Sequence, residues 1–216
     1  MPDSSSLLLF GVAALALIMV PGPNVIYIVT RSVSQGRRTG LVSVLGVQAG
    51  TFVHIGAAAL GLSALLASSA AALNIVKYLG AAYLVYLGVR ELMSDRAFSV
   101  DRMPRVRSMR RVFFQGALIN ALNPKVALFF LAFLPQFLDL SEGEVTSQIL
   151  VLGTIFFVLG LASDSVYALV AGSLGNWLQR RPRFARRQRY AAGVVYLALG
   201  VSAAFVNVGR AASNAK

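Results

Sequence analysis

A chain of 216 residues that is 57% hydrophobic and only 13% charged, with a mean hydropathy of +0.71, is too apolar for a soluble domain, where about 45–50% apolar and about 25% charged residues are usual. It reads as an integral membrane protein. The formal charge of +12 would suggest nucleic acid in a soluble chain, but here topology accounts for it, because Lys and Arg collect in cytoplasmic loops. With no cysteine, disulfides and thiolate metal sites are excluded.

The opening "MPDSSSLLLFGVAALALIMV" has the apolar stretch of a signal peptide, but Asp3 stands where a basic segment is expected and the apolar run resumes after Asn24, so it reads as retained. A span needs about 20 mostly apolar residues, and six stretches qualify: roughly 6–30, 40–66, 72–93, 112–138, 146–172 and 190–208. Sixteen of the 20 Lys and Arg residues fall in or beside alternate connections: Arg31, Arg37 and Arg38 after the first span, Arg90 to Arg111 after the third, and Arg180 to Arg189 after the fifth. The other two connections are "ASSAAALN", uncharged with Lys77 just beyond it, and "DLSEGEV", whose only charged residues are Asp139, Glu142 and Glu144. The positive-inside rule therefore predicts both termini outside and three Arg-rich cytoplasmic loops. The clusters "RMPRVRSMRR" and "RRPRFARRQR" act as topology signals and can touch anionic lipid headgroups.

The six stretches repeat in two halves. "PGPN" at 21–24 faces "LNPK" at 122–125, Gly50-x-x-x-His54 faces Gly160-x-x-x-Asp164, and "YLGAAYLVYLGV" (78–89) faces "YAAGVVYLALGV" (190–201). Three spans per half give the halves opposite orientations, the inverted-repeat plan of secondary transporters. The predicted fold is thus all-α, a single transmembrane domain over 1–216. Repeat 1 covers about 6–93, a basic cytoplasmic loop 94–111, and repeat 2 about 112–208, with broken first and fourth helices.

The breaks carry the chemistry. Proline lacks an N–H and its ring displaces the carbonyl four residues earlier, so Pro21 and Pro23 free the carbonyls of Leu17 and Met19, and Pro124 frees that of Asn120. Such groups are tolerated at membrane depth only where they line a cavity or meet polar protein groups. Each break also makes a new helix N-terminus, suited to an anion. Asn123 fits an N-cap, Pro124 the first helical position, and Lys125 adds a full charge. A carboxylate site is expected from Pro21, Gly22, Pro23 and Asn24 on one side and Asn123, Pro124 and Lys125 on the other; the plainer alternative is that the prolines only kink the helices.

Ionisable residues inside spans cost about 2.5–3.5 kcal/mol each at the helix centre on insertion scales. His54, Lys125 and Asp164 are of this kind. Gly46, Gly50 and His54 share one helical face, as do Gly153, Phe157, Gly160 and Asp164, and small residues on those faces permit close packing, which turns the polar groups inward. Lys125 and Asp164 could pair with each other or hold the two ends of a zwitterion. Asp164 and His54 are the candidates for proton coupling, although His54 could equally be a core histidine bonded to a carbonyl. Tyr167, one turn from Asp164, is a hydrogen-bond neighbour for the site or a packing residue. Tyr78, Tyr83, Tyr86, Tyr190 and Trp177 read as packing or interface anchors.

"PGPN" after an apolar run, "NPKVALFFLAFLPQF" (123–137) and the Gly/Tyr-rich third and sixth spans resemble the LysE/RhtB superfamily, the lysine and homoserine/threonine exporter group, over nearly the whole chain. That resemblance implies a bacterial inner-membrane protein that moves amino acids or close derivatives outward, driven by an ion gradient. The expected function is secondary-active export by proton antiport. Export of another small metabolite such as a lactone or amine, or an anion-conducting channel, is the alternative reading. The sequence carries no nucleophile-and-base set, metal-ligand cluster or cofactor motif, so neither enzyme activity, cofactor nor metal is expected. The expected partners are a small-molecule substrate, protons and membrane lipid, with no nucleic acid; monomer and homodimer are both left open.

Overall fold

The computed structural model describes residues 4–68, 70–93, 108–139, 144–178 and 182–205. Arg96, Arg102, Arg105, Arg107, Arg180 and Arg181 of the basic connections, and residues 206–208 of the last expected span, lie outside the described residues. Among those described, every element is helical: α1 (Ser4–Met19), α2 (Pro23–Gln35), α3 (Arg37–Ser68), α4 (Ala70–Met93), α5 (Met109–Ala121), α6 (Pro124–Leu128), α7 (Val145–Leu178) and α8 (Pro182–Phe205). Helix α6 runs on through a π-helical turn, Phe129–Phe133, into a 3-10 turn, Leu134–Phe137, that contains Pro135.

Two of these helices are long and apolar enough to cross a membrane on their own: α3 over Arg37–Gly61 and α7 over Val145–Ser173. At 1.5 Å per residue both exceed the roughly 30 Å hydrocarbon core. Two further spans arise if each bent pair counts as one, α1 with α2 at 55° and α5 with α6 and its continuation at 43°. In α8, Gly193–Ala204 is a shorter apolar helix. The chain is therefore a multi-pass membrane protein. Large apolar side chains such as Leu60 (79% exposed), Leu79 and Val166 cover the outer face, as a lipid solvent allows and water does not.

Several boundaries differ from the sequence expectation: α7 runs to Leu178 rather than 172, and α8 begins at Pro182 rather than 190, so Arg183, Arg186, Arg187 and Arg189 stand in a helix and not in a loop. The first span was expected to end near residue 30, with Arg31 in a loop, but α2 continues to Gln35 and only Gly36 separates it from α3. Arg31 is buried, donates from Nη2 to Gln115 Oε1 at 3.1 Å and lies over the Tyr27 ring. A polar partner and an aromatic face on neighbouring turns let the helix extend past the charge.

Close packing places the site. A side chain at Gly50 would put its Cβ 2.5 Å from Ala117 O, and one at Gly116 would put it 2.8 Å from Ser43 O, so α3 and α5 touch backbone to backbone, as small residues permit in membranes. Helix α7 packs on α1, α2 and α3, and α4 packs on α8. Phe10, Phe129, Phe130, Phe133 and Phe156 form a buried aromatic cluster, with Phe129 5.3 Å from Phe156 and 5.7 Å from Phe10 between ring centres. This cluster seats the α6 continuation against α1 and α7.

Candidate functional site

The three proline-freed carbonyls each meet a side chain. Lys125 Nζ donates to Leu17 O at 3.0 Å and to Val20 O at 2.9 Å, and Tyr167 Oη donates to Met19 O at 3.0 Å. On the other break, His54 Nε2 lies 2.7 Å from Asn120 O; a carbonyl only accepts, so Nε2 carries the hydrogen. The end of α1 is thus held by residues of α6 and α7, and the end of α5 by a residue of α3. Pro23 opens α2 behind Gly22, and Pro124 opens α6 behind Asn123, whose Oδ1 accepts the Lys125 N–H at 3.0 Å. That local N-cap uses one of the N-terminal donors of α6 internally.

Between the breaks runs a chain of amides. Asn123 Nδ2 donates to Asn24 Oδ1 (3.1 Å), Asn24 Nδ2 to Asn120 Oδ1 (2.8 Å), and Asn120 Nδ2 to Thr51 Oγ1 (2.9 Å) and Val47 O (2.7 Å). Thr51 Oγ1 then donates to Gln48 Oε1 (3.3 Å), and Gln48 Nε2 to Asp164 Oδ2 (2.9 Å). All but the partly exposed Asn24 are buried, and a buried polar group without a partner is costly.

A small, partly open cavity of about 30 Å³ lies where these elements meet. Asn24, Lys125 and Asp164 face it, together with Gln48, Thr51 and Asn120, against apolar walls that include Ile18, Val25 and Phe156. Lys125 and Asp164, both buried, present opposite charges to one space. The other expected site residues stand around it: Pro21, Gly22, Pro23, Asn123 and Pro124 shape the breaks, Tyr167 holds Met19, and His54 holds Asn120 with its ring stacked 6.1 Å from Phe130. Lys125 passes close to Gly22, where a Cβ would lie 3.3 Å from Nζ. Among the described residues no cluster of three or more His, Cys, Asp or Glu could hold a metal ion.

Gln48, Thr51 and the side chain of Asn120 were not singled out in the sequence, where Asn120 counted only for its carbonyl. Their signal was there: Gln48, Thr51 and His54 recur every three residues along one helix, and Asn120 stands four residues before Pro124.

The LysE type translocator family model matches residues 15–206. Among curated relatives, the uncharacterized membrane protein YrhP of Bacillus subtilis is 29% identical over 206 residues, covering 91% of this chain and 97% of that protein. The homoserine/homoserine lactone efflux protein of Salmonella typhimurium is 29% identical over 184 residues, covering 85% of this chain and 88% of that protein. An uncharacterized membrane protein of Pseudomonas aeruginosa is 31% identical over 195 residues, with 87% and 89% covered. No solved structure matches.

Proposed function

The chain belongs to the LysE type translocator family, a family of exporters and not of enzymes, and from that premise we propose that it carries a small zwitterionic amino acid, or a close derivative, from the cytoplasm to the outside of the bacterial inner membrane. One observation carries this reading: Lys125 and Asp164 are buried yet face the same cavity at the meeting of two broken helices. A substrate carboxylate exchanges with the Leu17 and Val20 carbonyls as partner of the Lys125 ammonium, and the substrate ammonium goes to Asp164. Charge-assisted hydrogen bonds of this kind are the strong ones, and the apolar walls keep water from screening them.

The two halves, 6–93 and 112–208, act as an inverted repeat of six spans with both termini outside. Support comes from the packing: α3 rests on α5 as α7 rests on the α1–α2 pair, and the third and sixth stretches, α4 and α8, rest on each other. Export runs by proton antiport, with Asp164 as the proton carrier. His54 is the less suited of the two coupling candidates, because its Nε2–H is engaged by a carbonyl that Pro124 leaves open.

Counterflow in proteoliposomes loaded with each protein amino acid, homoserine or homoserine lactone tests the reading. Saturable exchange with one amino acid or its derivative is expected, with the free acid preferred over its amide and over the decarboxylated amine. Equal uptake of acid, amide and amine would overturn the zwitterion site. Homoserine lactone, named for the Salmonella relative, has an amine and no carboxylate, so it would engage Asp164 and leave Lys125 on its carbonyls.

A further inference from the structure

The amide chain has only one self-consistent direction. Carboxamides can present oxygen or nitrogen to a neighbour, and the neighbours decide which. At one end, the Lys125 N–H can only donate, so Asn123 turns Oδ1 to it and must donate from Nδ2 to Asn24. Asn24 therefore donates to Asn120. In the middle, Val47 O can only accept, which independently fixes Asn120 Nδ2 on the side of Val47 and Thr51. At the far end the Asp164 carboxylate only accepts, so Gln48 points Nε2 at it and Oε1 at Thr51, whose single hydroxyl hydrogen then goes to Gln48 while its lone pair accepts from Asn120. The Lys125 N–H and the Val47 carbonyl thus fix Asn123, Asn24 and Asn120, the carboxylate fixes Gln48, and the Thr51 hydroxyl joins the two parts in one direction.

From this geometry we infer that Gln48 is a positioning residue for Asp164, and that the Thr51 hydroxyl, anchored through Asn120 to the Val47 carbonyl of α3, holds the Gln48 amide with its N–H on the carboxylate. A reversed Gln48 amide would set Oε1 against Oδ2, two acceptors face to face. Gly160, one turn before Asp164 on α7, supplies the room: a Cβ there would lie 2.9 Å from Gln48 Nε2 and 3.1 Å from Oε1. Hydrogen bonds aligned head to tail polarise one another, so the last donor of the series is stronger than an isolated amide. The consequence for transport rests on the proposed role of Asp164 toward the substrate ammonium; the positioning itself does not.

The test uses the full chain in detergent and in proteoliposomes, with two readouts. The first is the infrared carboxyl band of Asp164, identified as the band that Asp164→Asn removes. Thr51→Val keeps the volume and removes the hydroxyl link, Thr51→Ser restores it, and Gly160→Ala pushes the Gln48 amide, whose atoms lie nearest the new Cβ. The band is expected to shift in Thr51→Val and in Gly160→Ala and to return to its wild-type position in Thr51→Ser. The second readout is counterflow with labelled L-homoserine, or whichever amino acid the panel identifies. There KM is expected to rise about three- to tenfold in Thr51→Val and Gly160→Ala, the equivalent of one hydrogen bond, with Thr51→Ser near wild type. An unmoved band in both Thr51→Val and Gly160→Ala overturns the positioning role. A shifted band with unchanged KM upholds the positioning and overturns instead the contact between Asp164 and the substrate. Should Thr51→Val elute as aggregate, Gly160→Ala against Gly160→Ser, which adds a bulkier side chain at the same point, decides by whether the band shift grows with size.

Discussion

Lys125 meets two demands with one ammonium group. It caps carbonyls that Pro21 and the end of α1 leave open, and it faces the cavity in which a substrate carboxylate would bind. Lys125→Met removes both functions, so absolute affinity alone would not separate them. The ratio of affinities does: an amino acid should lose about tenfold to a hundredfold, the worth of a charge-assisted hydrogen bond, whereas its lactone should lose far less. Competition binding on purified protein measures that ratio, and equal losses for both ligands would leave Lys125 a structural cap only. Asp164 carries the second prediction at this scale. Asp164→Asn keeps a partner for Gln48 Nε2 through the amide oxygen, so the fold should persist, while export driven uphill by a pH gradient should fall to background. Downhill exchange should remain measurable. Undiminished pH-driven export in this variant would move the coupling to another group, with His54→Gln as the next comparison.

At the scale of elements, the breaks work because neighbouring helices complete them. Helix α3 contributes His54, Thr51 and Gln48 to the α5 end and to Asp164, and it can do so only because Gly46, Gly50 and Gly116 let α3 and α5 approach backbone to backbone. A large side chain at this seam must separate the helices and with them the hydrogen bonds of Asn120. Gly50→Leu should therefore destabilise by about 1–3 kcal/mol or more, the usual cost of overpacking, and should abolish counterflow. Leu60→Ala, on the lipid-facing side of the same helix, should leave thermal stability in detergent nearly unchanged. Thermal unfolding of the two variants side by side gives the comparison, and equal midpoints would mean that the α3–α5 seam is looser than the structure has it.

For the whole molecule, the charge distribution sets the expected orientation. Reporter fusions at Ser4, Ser68, Ser141 and the C-terminus are expected to report outside, and fusions at Ser34, Ser99 and Pro182 to report cytoplasm. A cytoplasmic N-terminus would overturn the inverted repeat unless one of the six stretches contributes two crossings or none. The buried Arg31 does not weaken this expectation, because Ser34 and the single-residue turn at Gly36 still lie at the same end of α2 as Arg37 and Arg38.

Much of this was legible in the residues alone. Membrane residence follows from composition, since no soluble fold can hide so large an apolar fraction. The breaks at Pro21–Pro23 and at Pro124 follow from a ring that has no N–H to give, a property of one residue that no context changes. The cap at Asn123 and the identity of Lys125 and Asp164 as the costly buried charges were likewise local facts, read from residue type and position within a span. Which groups would answer the freed carbonyls was not local. His54 meets Asn120, Lys125 meets Leu17 and Tyr167 meets Met19 across 66, 108 and 148 positions of sequence, and nothing in a helical periodicity selects a partner at such a distance. Gln48 and Thr51 drew no attention in the sequence for the same reason. A hydrogen bond depends on placement within a few tenths of an ångström, and here that placement comes from the contact of α3, α5 and α7, which only the assembled tertiary structure decides.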